Sequence, residues 1–121
     1  LARDTKAAGT WVVPTAFLWE TFFSTQTADE LLASLPEVKY VSPQQRNSWA
    51  NQKRQRTAMM TDQAVPADAS ARYIALRRRM LKHLADAGAP LLMGTDSPQV
   101  FNVPGFALHR ELEVARGAGL T

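Results

Sequence analysis

Residues 90–97, Pro-Leu-Leu-Met-Gly-Thr-Asp-Ser, place a short apolar run directly before a glycine, an aspartate and two hydroxyl side chains. An apolar run bounded by turn residues predicts a buried strand, and Gly94 allows the backbone to turn after it. In parallel α/β folds, active-site residues lie at the carboxyl ends of the strands. Asp96 at such an end could bind a divalent metal ion or accept a proton from a metal-bound water. It could equally cap the turn that follows, and spacing alone leaves both interpretations open.

A second strand is predicted over residues 10–15, Thr-Trp-Val-Val-Pro-Thr, because this run is β-branched and aromatic and follows Gly9. Local capping and periodicity signals predict helices elsewhere: the tail of a helix over 1–8, then 27–35, 43–61, 66–88 and a last helix from Pro104. Residues 16–23 are compatible with either strand or helix. A strand, a long helical excursion, a second strand and a helix are typical of βα units on a parallel sheet.

The two longest amphipathic patterns predict which side chains are buried. On the helix over 66–88 the predicted apolar stripe consists of Tyr73, Leu76, Met80, Leu84 and Ala87, with Ile74 and Leu81 beside them. On the last helix the predicted buried side consists of Phe106, Leu108, Leu112 and Ala115. Five aromatic residues fall within thirteen positions, for which core packing is the first interpretation and the wall of an apolar substrate pocket the second: Trp11, Phe17, Trp19, Phe22 and Phe23.

Composition limits the function classes. The 121 residues carry 14 Lys and Arg against 11 Asp and Glu, a formal net charge of +3, with 45% apolar and 21% charged residues, which is ordinary for a globular domain. No apolar run approaches the roughly 20 residues of a membrane-spanning helix. The absence of cysteine excludes disulfides, thiol nucleophiles and cysteine zinc sites. The chain begins as if inside a helix, which predicts that it is a piece of a longer protein.

The only two histidines do not form a metal motif. His83 lies in the helix over 66–88, where packing or solvent exposure is expected. His109 lies early in the last helix, where pairing with a backbone group is expected, although a ligand role is possible.

Two basic segments suggest a different class of function. One is Arg77–Arg79 with Lys82, and the other is Arg46–Arg56, which includes Trp49. A solvated helix face explains the first, and a charge of +3 is modest for a nucleic-acid module, so no nucleic-acid partner is predicted.

Three segments together resemble the metal-dependent amidohydrolase superfamily, in its imidazolonepropionase-like and prolidase-like branch. They are residues 90–97, the run Asn-Val-Pro-Gly-Phe-Ala-Leu-His-Arg-Glu-Leu-Glu over 102–113, and Ala-Gly-Leu-Thr over 118–121. Residues 11–15 resemble the preceding strand of that branch. Residues 21–67 match nothing specific, and Pro98 stands where relatives often have a small residue.

The resemblance implies an α/β fold: a partial (β/α)8 TIM-like barrel containing the last two strands, their helices and a helical insertion. Residues 1–121 would be the incomplete C-terminal portion of that barrel domain, with the remainder upstream and downstream. The family aspartate after the last strand matches Asp96, as metal ligand and as the group that works on the attacking water. The family's other ligands, a His-x-His pair, a carboxylated Lys or a Glu, and two single His, have no counterpart in this chain.

The resulting hypothesis is a zinc-dependent hydrolase, with one or two ions, that cleaves an amide, peptide or cyclic amide bond. Asp96 would be catalytic, and Ser97 and Asn102 would contact a small-molecule or peptide substrate. The expected partners are the rest of the barrel and a homo-oligomer, with no membrane, and the isolated fragment is expected to be inactive. The alternatives are a small basic helical module that binds RNA or a protein, and a structural relative that has lost its metals.

Overall fold

The computed structural model describes residues 1–120, and helices hold 63% of the chain. The described part contains six α-helices and one 3-10 helix: α1 Ala2–Ala7, α2 Ala16–Phe23, α3 Ala28–Ser34, the 3-10 helix Pro36–Tyr40, α4 Pro43–Asp62, α5 Ala69–Asp86 and α6 Phe106–Gly117. The predicted partial (β/α)8 barrel is therefore wrong, because residues 1–120 form neither a sheet nor a barrel. Thr121, which ends the last segment of the resemblance, lies outside the described residues.

The two predicted strands meet at a single parallel bridge between Val12 and Leu91. Val12 N donates to the carbonyl of Pro90 at 3.0 Å, and Leu92 N donates to the carbonyl of Val12 at 2.9 Å. Pro14 has no N–H and cannot extend the ladder. Two segments without further neighbours do not make a stable sheet. Residues 11–13 and 91–93 are called the parallel ribbon below.

Helix starts follow the local signals closely. Thr27 Oγ1 accepts the backbone N–H of Glu30 at 3.2 Å, and Glu30 Oε2 accepts that of Thr27 at 2.7 Å, which confirms the predicted capping box before α3. The Ser42 hydroxyl accepts a backbone N–H of the first turn of α4, and Pro43 is the first residue of that helix. These boundaries depend on residues a few positions apart, which is why the sequence predicts them.

The main hydrophobic core lies between α3, the 3-10 helix, α4 and the segment over 100–103. We call its buried apolar residues the packed core: Ala28, Leu31, Leu35, Val38, Trp49, Ala50, Val100, Phe101 and Val103. Trp49 and Phe101 are its largest members, and their ring centroids are 5.9 Å apart. Helix α4, predicted as a surface helix, is polar over most of its length but contributes Trp49 to this core.

Helix α2 is held at both ends by buried charges. The Glu111 carboxylate of α6 accepts the first two backbone N–H groups of α2, each at 2.7 Å. The Lys53 ammonium of α4 donates to three backbone carbonyls at the other end of α2, at 2.7–3.1 Å. Burial, with a smaller contribution from nearby Arg56, lowers the pKa of Lys53 to about 8. Each charge has the sign that complements the helix dipole at its end.

The apolar stripes of α5 and α6 are not buried as predicted. On α5, Leu76 and Met80 are exposed, and of the predicted stripe only Leu81, at its side, is buried. On α6, Leu108 and Leu112 are exposed, and the buried face is that of Ala107, Glu111, Val114 and Ala115. Helix α6 turns this face inward because its Glu111 binds the start of α2. Helix α6 also begins at Phe106, two residues after the predicted Pro104.

Candidate functional site

The predicted site residues lie in one irregular segment over 94–103, which we call the site loop. It begins where the parallel ribbon ends and finishes in the packed core. One end is therefore attached to a bridge of two backbone hydrogen bonds, and the other to the best-packed part of the molecule.

Gly94 opens the site loop because the ribbon leaves no room for a side chain there. A Cβ atom at this position would lie closer to Cγ1 of Val13 than real carbon atoms approach. The glycine predicted from the sequence as a turn residue therefore serves a close approach between the two ribbon segments.

Asp96 is presented to solvent by an unusual backbone conformation. Its φ is +54°, in the left-handed region of backbone conformation that residues other than glycine seldom adopt. Within residues 1–120 its carboxyl group accepts no hydrogen bond and forms no ion pair, so it does not cap the turn that follows. Residues held in such conformations occur preferentially at functional sites, and each costs about 1–3 kcal/mol.

The hydroxyl groups on either side of Asp96 contact each other. Thr95 Oγ1 and Ser97 Oγ are 3.0 Å apart, and either can be the donor. One hydroxyl hydrogen is used in this bond, and the second is available to another acceptor. Ser97, predicted to contact substrate, thus lies beside Asp96 with its hydroxyl only partly committed.

Asn102 lies beneath the loop rather than at its surface. Its side chain is 1% exposed, and Nδ2 donates to the backbone carbonyl of Thr95. Its own backbone N–H donates to the carbonyl of Gln99 at 2.7 Å. The amide oxygen Oδ1 is buried and has no hydrogen-bond partner in the described chain. The predicted contact between Asn102 and substrate stays a prediction, since the amide is covered in this structure.

Phe101 anchors the loop, a role that the sequence analysis missed. It is fully buried, with a φ of +58°, and packs against Trp49. Val100 and Val103, on either side of Phe101 and Asn102, are also buried. The sequence signal for this anchor is the set of three apolar residues around Asn102.

The described residues do not form the predicted metal centre. Over residues 1–120, no three His, Asp or Glu side chains lie close enough together to hold a metal ion. The description of the chain as a metal-binding, zinc-containing TIM barrel is therefore wrong for the part that the structure describes. Asp96 belongs to no such group, and a stable zinc site needs three or four ligands.

Both histidines are exposed: His83 lies on α5 and His109 on α6. The expected backbone partner of His109 is wrong, because its side chain makes no hydrogen bond to residues 1–120.

The basic residues of α5 are largely engaged within the molecule. Arg77 donates to the carbonyl of Pro14 at 3.0 Å and lies over the ring of Trp19. Arg78 forms two hydrogen bonds of 2.6 Å to Glu20, which raise the pKa of the guanidinium. The expectation of a uniformly solvated basic face is thus wrong for these two residues.

The same holds for the basic segment of α4. Lys53 is buried at the end of α2, and Arg56 lies 4.4 Å from the ring centroid of Phe23. Arg54 pairs with Asp29 at 3.1 Å. Trp49, which interleaves with these residues in the sequence, is 1% exposed and belongs to the packed core. It cannot stack on a nucleobase in this structure.

Most of the early aromatic cluster packs internally. The ring centroid of Phe23 lies 5.9 Å from that of Trp19, in a stacked arrangement, and 4.5 Å from that of Tyr73. Phe17 and Phe22 pack against the packed core. Trp11 and Trp19 are the exceptions, at 61% and 36% exposed. Core packing is therefore the correct interpretation for the three phenylalanines but not for the two tryptophans.

No family model, curated protein or solved structure matches the chain. The resemblance to the amidohydrolase superfamily accordingly stays a prediction. No helix in residues 1–120 has the length and apolar character needed to span a membrane.

Proposed function

We propose that this chain contributes the proton-accepting aspartate of a hydrolase that cleaves an amide, peptide or cyclic amide bond. The observation that supports the proposal is the state of Asp96: a solvent-facing carboxyl group, free of internal partners, on a backbone held in the left-handed region. An exposed acid without a protein partner is ordinary, and Asp96 differs from one such as Asp62 in its left-handed backbone and in the two hydroxyl groups beside it.

The site residues support a simple proton path. Water attacks the carbonyl carbon of the substrate while the Asp96 carboxylate accepts one of its protons, which yields a tetrahedral intermediate. The C–N bond then breaks, and the same proton passes from Asp96 to the departing nitrogen. A positioned general base of this kind typically contributes a factor of about 10²–10⁴ in rate.

The hydroxyl pair beside Asp96 supplies a donor. Because Thr95 and Ser97 consume only one hydroxyl hydrogen in their mutual bond, the other can be donated to the substrate carbonyl oxygen. That donation is worth more in the tetrahedral intermediate, where the oxygen bears a negative charge. Ser97 therefore keeps its role as a substrate-contacting residue in the proposal.

The described residues do not fit a metal centre, so no step above passes through a metal ion. The expected zinc cofactor stays a prediction whose remaining ligands would come from outside residues 1–120. In such a site a metal would polarise the carbonyl and acidify the bound water.

The rival function, a basic module that binds RNA, has less support from the structure. It requires free cations on α4 and α5, yet Arg54, Arg77 and Arg78 are paired and Lys53 is buried. Phosphate contacts supply most of the affinity of such modules, so engaged cations weaken that proposal.

The test uses the natural protein that contains these residues, purified as wild type and as Asp96→Asn. Both are assayed against amino-acyl p-nitroanilides, dipeptides and a cyclic amide such as a hydantoin, with added divalent metal salts and without them. We expect wild-type hydrolysis of at least one class and a loss of about 100-fold or more in kcat for Asp96→Asn, since the amide cannot accept the proton.

Asp62→Asn is the matched control, because Asp62 is an exposed aspartate at the end of α4, far along the chain from the site loop. It should retain wild-type activity. The proposal is wrong if the wild type hydrolyses none of the three classes, or if Asp96→Asn is as active as Asp62→Asn.

A further inference from the structure

We propose that Asn102 is a positioning residue of the site: through its hydrogen bond to the Thr95 carbonyl it holds Asp96 in the backbone conformation that presents the carboxylate to solvent. The catalytic consequence of this role rests on the proposed hydrolase function. The conformational part does not, and it can be tested separately.

The geometry of the loop supports this role. The peptide unit whose carbonyl Asn102 holds joins Thr95 to Asp96, so its orientation sets the ψ of Thr95 and the direction from which Asp96 begins. Asp96 is left-handed at φ +54°. Aspartate tolerates this region better than most residues with a side chain but still favours the right-handed region, so a bond that orients the preceding peptide helps to keep it left-handed. Asn102 Nδ2 is the side-chain donor that binds this peptide in the described chain.

Asn102 is itself fixed by the packed core. Its neighbour Phe101 is fully buried against Trp49, and its backbone N–H is bonded to the carbonyl of Gln99. The donor that holds the Thr95 carbonyl is thus attached to the most rigid part of the fold. Without Asn102, the front of the loop would be attached only through Gly94 and the parallel ribbon.

The second amide atom argues against a purely stabilising role. Oδ1 of Asn102 is buried without a partner, which destabilises the folded state relative to an apolar side chain of similar shape. A leucine would fill the space without an orphaned acceptor. An asparagine in this position therefore costs stability and supplies one thing that leucine cannot, a donor to the Thr95 carbonyl.

The test variant is Asn102→Leu, with Asn47→Leu as a control because Asn47 is exposed on α4. In the natural protein we expect Asn102→Leu to lower kcat by about 100-fold while KM stays within about twofold, since misplacing a reacting group by about 1 Å can cost that much. Thermal unfolding of Asn102→Leu should stay close to that of the wild type, since losing the bond to the Thr95 carbonyl and removing the orphaned acceptor have opposite effects on stability. Unchanged kcat in a folded Asn102→Leu, with Asp96→Asn inactive, would overturn the positioning role and leave the hydrolase proposal standing.

A double variant separates action through Asp96 from an independent effect. If Asn102 acts only by holding Asp96, Asn102→Leu should change kcat less than twofold when Asp96 is already asparagine, because residues that act as a unit are not additive. Losses that multiply in the double variant would contradict the proposal.

The last measurement needs no activity. NMR scalar couplings report the φ of Asp96 in the wild type, Asn102→Leu and Asn102→Asp, the last of which keeps the shape of the side chain but replaces its donor. We expect a left-handed Asp96 in the wild type and in Asn47→Leu, and a change of φ in both Asn102 variants. An Asp96 that stays left-handed in a folded Asn102→Leu would refute the proposal even if the protein proves to be no hydrolase.

Discussion

The packed core and the parallel ribbon are both rich in apolar residues, but those of the core are buried and most of those of the ribbon are exposed to solvent. Trp49 in the packed core is 1% exposed, whereas Trp11 in the ribbon is 61% exposed, and the ribbon residues Val13, Leu92 and Met93 are also exposed. The core segments have neighbours on several sides, but each ribbon segment pairs only with the other. Apolar character alone therefore does not determine burial; the number of elements that can reach a segment does.

The site loop connects these two regions, which explains its construction. Its Asp96 follows the loosely held ribbon, and its Phe101 is part of the packed core. Asp96 follows an exposed segment with few backbone hydrogen bonds, so its position depends on a contact from another part of the chain. The hydrogen bond from Asn102 to the Thr95 carbonyl is that contact. Three sets of substitutions can test how different the two regions are.

The largest difference is expected between the two tryptophans. Trp49→Ala should lower the free energy of unfolding by about 3–5 kcal/mol, because it opens a cavity against Phe101. Trp11→Ala should change it by no more than about 0.5 kcal/mol, since most of the side chain is already in solvent. Urea unfolding of both variants measures the contrast. Equal losses would show that the ribbon is as well packed as the core.

A buried ion pair beside the packed core should give the next largest effect. Glu37 of the 3-10 helix, which is 3% exposed, accepts from Arg110 of α6 at 2.9 and 3.0 Å, and these bonds lower the pKa of the Glu37 carboxyl group. Glu37→Gln should destabilise the protein by about 2 kcal/mol at pH 7, because the guanidinium loses its charged partner.

The pH dependence of that pair has a definite sign. A carboxyl group whose pKa is lower in the folded state contributes stability above pH 4.5, and this contribution is lost as the pH falls through the folded-state pKa. Wild-type stability should therefore drop below about pH 4.5 more steeply than that of Glu37→Gln. Parallel curves from urea unfolding between pH 3 and 7 would contradict this assignment.

The smallest effect is expected at the ribbon itself. Gly94→Ala introduces a Cβ atom against Val13 and should cost about 1–2 kcal/mol, as overpacking does where the backbone can shift slightly. Val13→Ala removes the opposing atom, so the double variant should regain most of the loss. Chemical denaturation of the two single variants and the double variant measures the coupling, and strictly additive losses would show that the two segments do not touch.

Local chemistry accounts for what could be predicted. The Thr27–Glu30 capping box and the Ser42-Pro43 start of α4 depend on residues within one turn, and both were confirmed. The sequence also shows that Asp96 is the acidic residue that follows the apolar run over residues 90–93. Its use in catalysis stays a proposal.

The sequence by itself thus determined where α3 and α4 begin and which residue types the site loop contains. Only the tertiary structure decided which faces are buried and whether two apolar runs become strands. Glu111 turned the predicted stripe of α6 outward by binding the start of α2, a contact 95 residues away along the chain. Asn102 reached Thr95 because Phe101 is held by Trp49. Such contacts join residues that are far apart in the sequence, so the local patterns that predict helix starts carry no information about them.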